Sequence, residues 1–250
     1  MHMLTAASSL GYTPSTLSLI RILTQAGNVK LTERREMFRD TVARFKQLLQ
    51  TGKNPNALTL QGLLLLREGN DTYALKYFDR AIEAARSKDS ADQQISPAVR
   101  KPKWSYEGSC HQQRGLVLMK QGQREAAAAA FKIVALELNL AEGYLELAKL
   151  LPQNAPERET YLLKAAQAGK FEACECLALD AIDKAVEPGL SQADRKYAAK
   201  MAYEWALIEP ESDKREKLTS LVAERFKGVG RLEGGFISTL WSRLLSRPAR

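Results

Sequence analysis

The sequence predicts an all-α fold built from antiparallel helix hairpins. Three observations predict it. Apolar residues recur at helical spacing along most of the chain, and no segment alternates polar and apolar as a half-buried strand would. Only 15 Gly and 9 Pro in 250 residues leave few turns for a strand-rich alternative. The composition, 45% hydrophobic and 26% charged, is that of an ordinary globular chain. Three Cys exclude a disulfide-stapled scaffold, and two His leave little for a histidine metal site or relay.

The elements follow in order. Residues 1–54 read as a degenerate pair of helical units. Residues 1–32 hold Arg21 and Lys30 and no acid, which weakly resembles a mitochondrial presequence; an ordinary first helix pair is the simpler reading. Over 36–49, Phe38, Val42, Phe45 and Leu49 fall on one face of a helix opened by Thr32 and stopped by Gly52. Asn54-Pro55 opens the next, with Pro in the first turn where its missing N–H costs nothing. Leu58–Arg67, the turn Gly69-Asn70-Asp71 and Tyr73–Arg86 make a hairpin. Residues 104–120 with 123–138 make another, and 141–151 with 155–168 a third, broken by Pro152 and Pro156. Helices at 170–186, 191–208 and 212–227 follow; Ser191 with Asp194 suggests a capping box and Ser212 an N-cap.

Two hairpins share one spacing. From Gly62 the chain places Gly69, Ala74, Phe78 and Ala81 at +7, +12, +16 and +19; from Gly115 the same offsets give Gly122, Ala127, Phe131 and Val134. Small residues at +0 and +12 let paired helices approach closely, Gly at +7 makes the turn, and the aromatic is expected to fill the gap to the next unit. This pattern resembles the tetratricopeptide repeat, although Leu58 and His111 stand at its Trp position and Arg86 and Asn139 at its Pro position. Ala141 looks like the start of a third unit, with Tyr144 in the Trp place. Lys164–Ala173 is similar to the related Sel-like repeat, and Ala6–Ser15 matches it more loosely. Because that first match begins mid-unit, a longer precursor is an expectation.

The resemblance implies a right-handed superhelix, the tetratricopeptide/Sel-like α-solenoid, over residues 1–227. Its parts are repeats at 55–88 and 104–141, an insertion loop at 87–103, degenerate Sel-like units at 141–190 and terminal helices at 191–227. The loop is expected because Gly62 and Gly115 lie 53 residues apart, against the 34 of direct tandem units. A Gly-rich hinge at 228–235 and an amphipathic basic helix and tail at 236–250 complete the chain.

The resemblance also implies a concave face lined by the first helix of each unit. Mapped onto this sequence, that face takes Asn56, Thr59, Leu63 and Arg67, then Ser109, Gln112, Leu116 and Lys120, then Glu142 and Glu146. The expected function is a non-catalytic scaffold or adaptor binding a peptide or partner helix there. Chaperone-tail recognition is disfavoured, since Leu63 and Leu116 replace clamp asparagines and Glu142 and Glu146 repel a carboxylate. No cofactor or metal is expected: Cys174 and Cys176, two apart on a helix, point in different directions, and no nucleophile–base pair stands out.

The formal charge of +8 is uneven. It concentrates in residues 225–250 and in Arg100, Lys101 and Lys103, while the repeat body is near neutral. An RNA- or ribosome-associated protein is therefore the alternative, with the basic loop Arg100, Lys101, Lys103, Trp104 and Tyr106 offering phosphate contacts beside stacking rings. The C-terminal helix presents Phe236, Ile237, Leu240, Trp241, Leu244 and Leu245 on one half of its wheel. It is expected to cap the array, to dock on a partner, or to touch a membrane surface. No stretch is apolar enough to span a bilayer, and an intracellular setting, cytosol or mitochondrion, is expected.

Overall fold

Asn54 and Pro55 show how this chain starts its helices. In a computed structural model, which describes residues 2–25, 38–86, 99–187 and 189–226, the Asn54 side-chain oxygen accepts the Ala57 N–H at 3.1 Å while Pro55 takes the first helical position. Among these residues there are twelve α-helices and one π-helical turn, and no strand. The chain divides into two units, Met1–Asn139 and Leu140–Arg250.

The first unit contains α1 (His2–Ser9), α2 (Thr13–Gln25), α3 (Arg39–Thr51), α4 (Pro55–Arg67), α5 (Asp71–Arg86), α6 (Glu107–Lys120) and α7 (Arg124–Lys132). Helices pack mainly on their neighbours in sequence, and α4 also touches α2 and α6. Phe45 of α3 is buried with Leu17 and Ile20 of α2 and Ala57, Leu60 and Leu64 of α4, as the apolar stripe on α3 requires. Gly52 ends α3 at φ 64°, a left-handed cap that a Cβ would strain. The predicted opening residue of this helix, Thr32, lies outside the described residues.

The +0/+16 spacing has a direct steric meaning. A Cβ built on Gly62 would stand 2.5 Å from Cε1 of Phe78, and one on Gly115 would collide with the Phe131 ring in the same way. The aromatic at +16 therefore lies on the glycine of its own hairpin, where the sequence placed it in the gap to the next unit. Phe78 also joins a core with Leu58, Trp104 and Cys110, so it serves both packings. Gly69 and Gly122 have φ of 77° and 75°, and a Cβ there would meet nothing within 4 Å. Gly115→Ala should thus cost about 1–3 kcal/mol through overpacking, against about 1 kcal/mol for Gly122→Ala from backbone strain. Urea unfolding of the two variants checks the order.

Two boundaries differ from expectation. The helix expected from residue 104 begins at Glu107, because Trp104–Tyr106 form a turn held to α4 by Trp104 and Tyr106, while the Lys103 N–H ahead of it meets the Glu107 carboxylate. The helix expected over 123–138 is α only to Lys132; Ile133–Glu137 widens to a π turn, closed by the Leu138 N–H on the Ile133 carbonyl at 3.0 Å. Asn139 then ends the helical run at φ 53°, in the place where the repeat pattern has Pro.

The second unit contains α8 (Ala141–Leu150), α9 (Pro156–Gln167), α10 (Phe171–Ala185), α11 (Gln192–Leu207) and α12 (Ser212–Arg225). Arg158 pins its first hairpin. The guanidinium gives two bonds to Asp180 of α10, at 2.7 and 3.1 Å, and others to the carbonyls of Ala148 and Leu151 at the end of α8. It thereby satisfies acceptors that a helix end leaves open. Gly169, at φ 82°, turns α9 into α10 within the Sel-like stretch. Ser191 caps α11 by accepting the Asp194 N–H at 3.1 Å. Ser212 does not cap α12: Glu211 holds the N-cap position without a capping bond from its side chain, and the Ser212 hydroxyl bonds Asp213 instead.

Candidate protein-binding surfaces

The predicted inner-face residues separate into surface and interior once they are placed. In α4, Leu63 is half-buried and Arg67 exposed; in α6, Leu116 is half-buried and Lys120 exposed. Each Leu follows its hairpin's tightly packed glycine directly, and each basic residue stands four further on. Equivalent positions of two helices in contact thus repeat one apolar–basic pair. Lys120 reaches Asp71 of α5 at 3.1 Å, a solvated pair of little energetic weight. Ser109 is exposed, and Gln112 is half-buried with its Oε1 buried and without a bond.

Two of the predicted residues are structural. Thr59 is fully buried; its hydroxyl donates to the Pro55 carbonyl at 2.8 Å and accepts the Trp104 indole N–H at 3.3 Å. Asn56 uses its side-chain oxygen to accept the Tyr106 N–H at 3.2 Å. Both hold the chain ahead of α6 onto α4, so Thr59 offers no side chain to a ligand. In the second unit, Glu142 pairs with Lys170 at 2.6 Å, which holds its carboxyl below the usual range, and Glu146 pairs with Lys149 at 3.1 Å.

The basic loop is also partly structural. Arg100 donates to both Glu107 oxygens, at 2.7 and 3.0 Å, and through Nε to Glu137 at 2.8 Å. Glu107, only 2% exposed, also accepts the Lys103 backbone N–H at 2.6 Å. These carboxylates raise the Arg100 guanidinium above its ordinary pKa and neutralise its charge locally. Trp104 is 7% exposed and packed in the core, so its ring cannot stack on a base. The expected patch of cations beside rings is therefore corrected: Lys101 and Lys103 remain at the surface, while Arg100 and Trp104 join α4, α6 and the π turn together. Residues 87–98 of the insertion, the hinge and the C-terminal helix with Phe236, Ile237, Leu240, Trp241, Leu244 and Leu245 lie outside the described residues.

A groove that no sequence motif marks lies between α5, α6 and α7. It measures about 420 Å³ and is bordered by Asp79, Glu83 and Arg86 of α5, His111 and Arg114 of α6, and Ala129 of α7, over Ile82, Ala130 and Ile133. Arg114 donates to Asp79 through Nε at 2.7 Å. His111 is 95% buried by exposure (5% accessible), and its Nδ1 has no hydrogen-bond partner. An unmet buried nitrogen costs about 1–3 kcal/mol. No local pattern signals this, because His111 stands where the repeat pattern has Trp.

Burial lowers the His111 pKa to about 4; the nearby Glu107 and Glu137 oppose this shift, while Arg114 and Arg100 add to it. The folded-state value lies below that of a free imidazole, so this contribution to stability is complete above about pH 6.5 and falls as pH drops towards 4. The expected loss is at most about 1.4 kcal/mol per pH unit in that window. Urea unfolding from pH 7 to 4 should show a flatter dependence in His111→Gln than in the parent chain.

Burial raises the Cys110 and Cys174 thiols to about 12 and raises the half-buried Cys176 thiol as well. Cys110 donates its S–H to the Phe78 carbonyl at 3.7 Å. The thiols should therefore resist iodoacetamide at pH 7.5 in the native chain and react fully in urea, as mass spectrometry would show. Among the described residues no group of three or more His, Cys, Asp or Glu is placed to hold a metal ion, and no helix is long and apolar enough to cross a membrane.

These features define an all-α protein of helices packed on their neighbours, an architecture compatible with a helical repeat. No protein-family model, curated protein or solved structure matches the chain.

Proposed function

We propose that this chain is a non-catalytic protein-interaction module of the tetratricopeptide/Sel-like kind, binding a peptide or partner helix along α4 and α6. The observation that carries the reading is the repeated pair Leu63–Arg67 and Leu116–Lys120, at equivalent positions of two similarly built and touching helices. Such a repeat suits an amphipathic segment whose apolar side chains meet the leucines and whose internal carboxylates reach the basic residues. Thr59 and Asn56 support the surface from beneath by tying α4 to the chain ahead of α6.

The test is affinity capture from native lysate followed by mass spectrometry, comparing the parent chain with the double variant Arg67→Glu/Lys120→Glu. Both positions are exposed, so the fold is expected to persist, as circular dichroism would verify. Loss of the captured proteins in the variant supports the reading. An unchanged set of proteins overturns it.

A further inference from the structure

We propose that the groove between α5, α6 and α7 is a second peptide site, taking an apolar side chain flanked by one acidic and one basic residue. It lies on different side chains from the α4–α6 pair and stands independently of that reading. The volume, about 420 Å³, falls within the range of ligand sites. Along α5 the border runs from Asp79 to Arg86, about 10 Å of helix, which is the length of three residues of extended peptide.

The chemistry narrows the occupant. Asp79 and Arg114 already pair with each other, which leaves Glu83 and Arg86 to meet a ligand, and the border carries no net charge to favour a polyanion or a polycation. A peptide bringing one charge of each sign complements it. The floor is apolar at Ile82, Ala130 and Ile133, and the small Ala129 leaves the α7 side open. His111 adds a buried ring to the wall on the α6 side. Ile133 opens the π turn, a rare geometry that recurs where a helix is adapted to a binding role.

The test starts from random twelve-residue peptides displayed on phage and selected on the full chain. The expected consensus is an apolar residue between residues of opposite charge. A synthetic peptide of that consensus, followed by fluorescence anisotropy, should lose at least tenfold in affinity to Ala129→Trp, which fills the open side from an exposed position. The Arg67→Glu/Lys120→Glu variant should bind it within twofold of the parent, which separates this site from the α4–α6 surface. If Ala129→Trp does not fold, Glu83→Arg decides instead, by abolishing the preference for the basic residue. Failure to enrich any peptide, or equal affinity for the parent and the groove variant, overturns the proposal.

Discussion

Glu107→Ala is expected to destabilise the first unit by about 3 kcal/mol, the low end of the range for removing one partner of a buried ion pair, because Glu107 is buried while Arg100 is 27% exposed. The carboxylate meets Arg100 twice and the Lys103 backbone N–H once, so alanine strips three bonds together. Arg100 would keep Glu137, at 2.8 Å, but Glu137 is itself 49% exposed and holds the guanidinium less firmly. The damage should extend past the ion pair. Trp104 follows Lys103 directly, and its indole N–H reaches Thr59 in α4. Loosening residues 100–104 therefore loosens the Trp104 anchor and the start of α6. Urea unfolding followed by circular dichroism should show a lower midpoint for Glu107→Ala and a smaller loss for Glu107→Gln. Lys101→Ala, at an exposed position, should stay within about 0.5 kcal/mol. A Glu107→Ala variant as stable as the parent would remove this junction from the account of the fold.

The contrast between that junction and the hairpins shows which features a single sequence reveals. Asn54-Pro55, Gly52, Gly69 and Gly122 act within a few residues of themselves, through a cap or a left-handed φ, and each is visible as local punctuation. The Gly–Phe spacing is also local, because one hairpin brings +0 and +16 together. Trp104 is different. Its hydroxyl partner is 45 positions away, and beside Arg100, Lys101 and Lys103 it reads from sequence as a nucleic-acid patch. Whether a basic cluster is free or consumed depends on acids brought from elsewhere, here Glu137 from the π turn. The same holds for the unpaired His111, whose burial no local pattern encodes. The inner-face assignments divided for this reason, Leu63 and Leu116 staying at the surface while Thr59 went inside.

Phe131→Ala should likewise cost about 3–5 kcal/mol, the usual range for truncating a fully buried phenylalanine. The ring lies over Gly115, where no side chain can move in to fill the space it leaves. The cavity should therefore persist, and with it the larger part of the penalty. The same geometry predicts compensation. Gly115→Ala is costly in the parent because its Cβ would strike the Phe131 ring, yet in a Phe131→Leu background the methyl group has room and the helix gains the propensity of alanine over glycine. A double-mutant cycle on Gly115→Ala and Phe131→Leu should give a double variant more stable than the sum of the single losses by about 1 kcal/mol or more. The equivalent cycle on Gly62→Ala and Phe78→Leu should have the same sign, since that contact is built alike. Phe78 also packs with Trp104 and Cys110, so Phe78→Leu alone should cost more than Phe131→Leu. Additivity within 0.3 kcal/mol in both cycles, an order-of-magnitude threshold for independent sites, would mean that the glycine and the ring do not constrain one another, and the steric meaning given to the repeated spacing would fail.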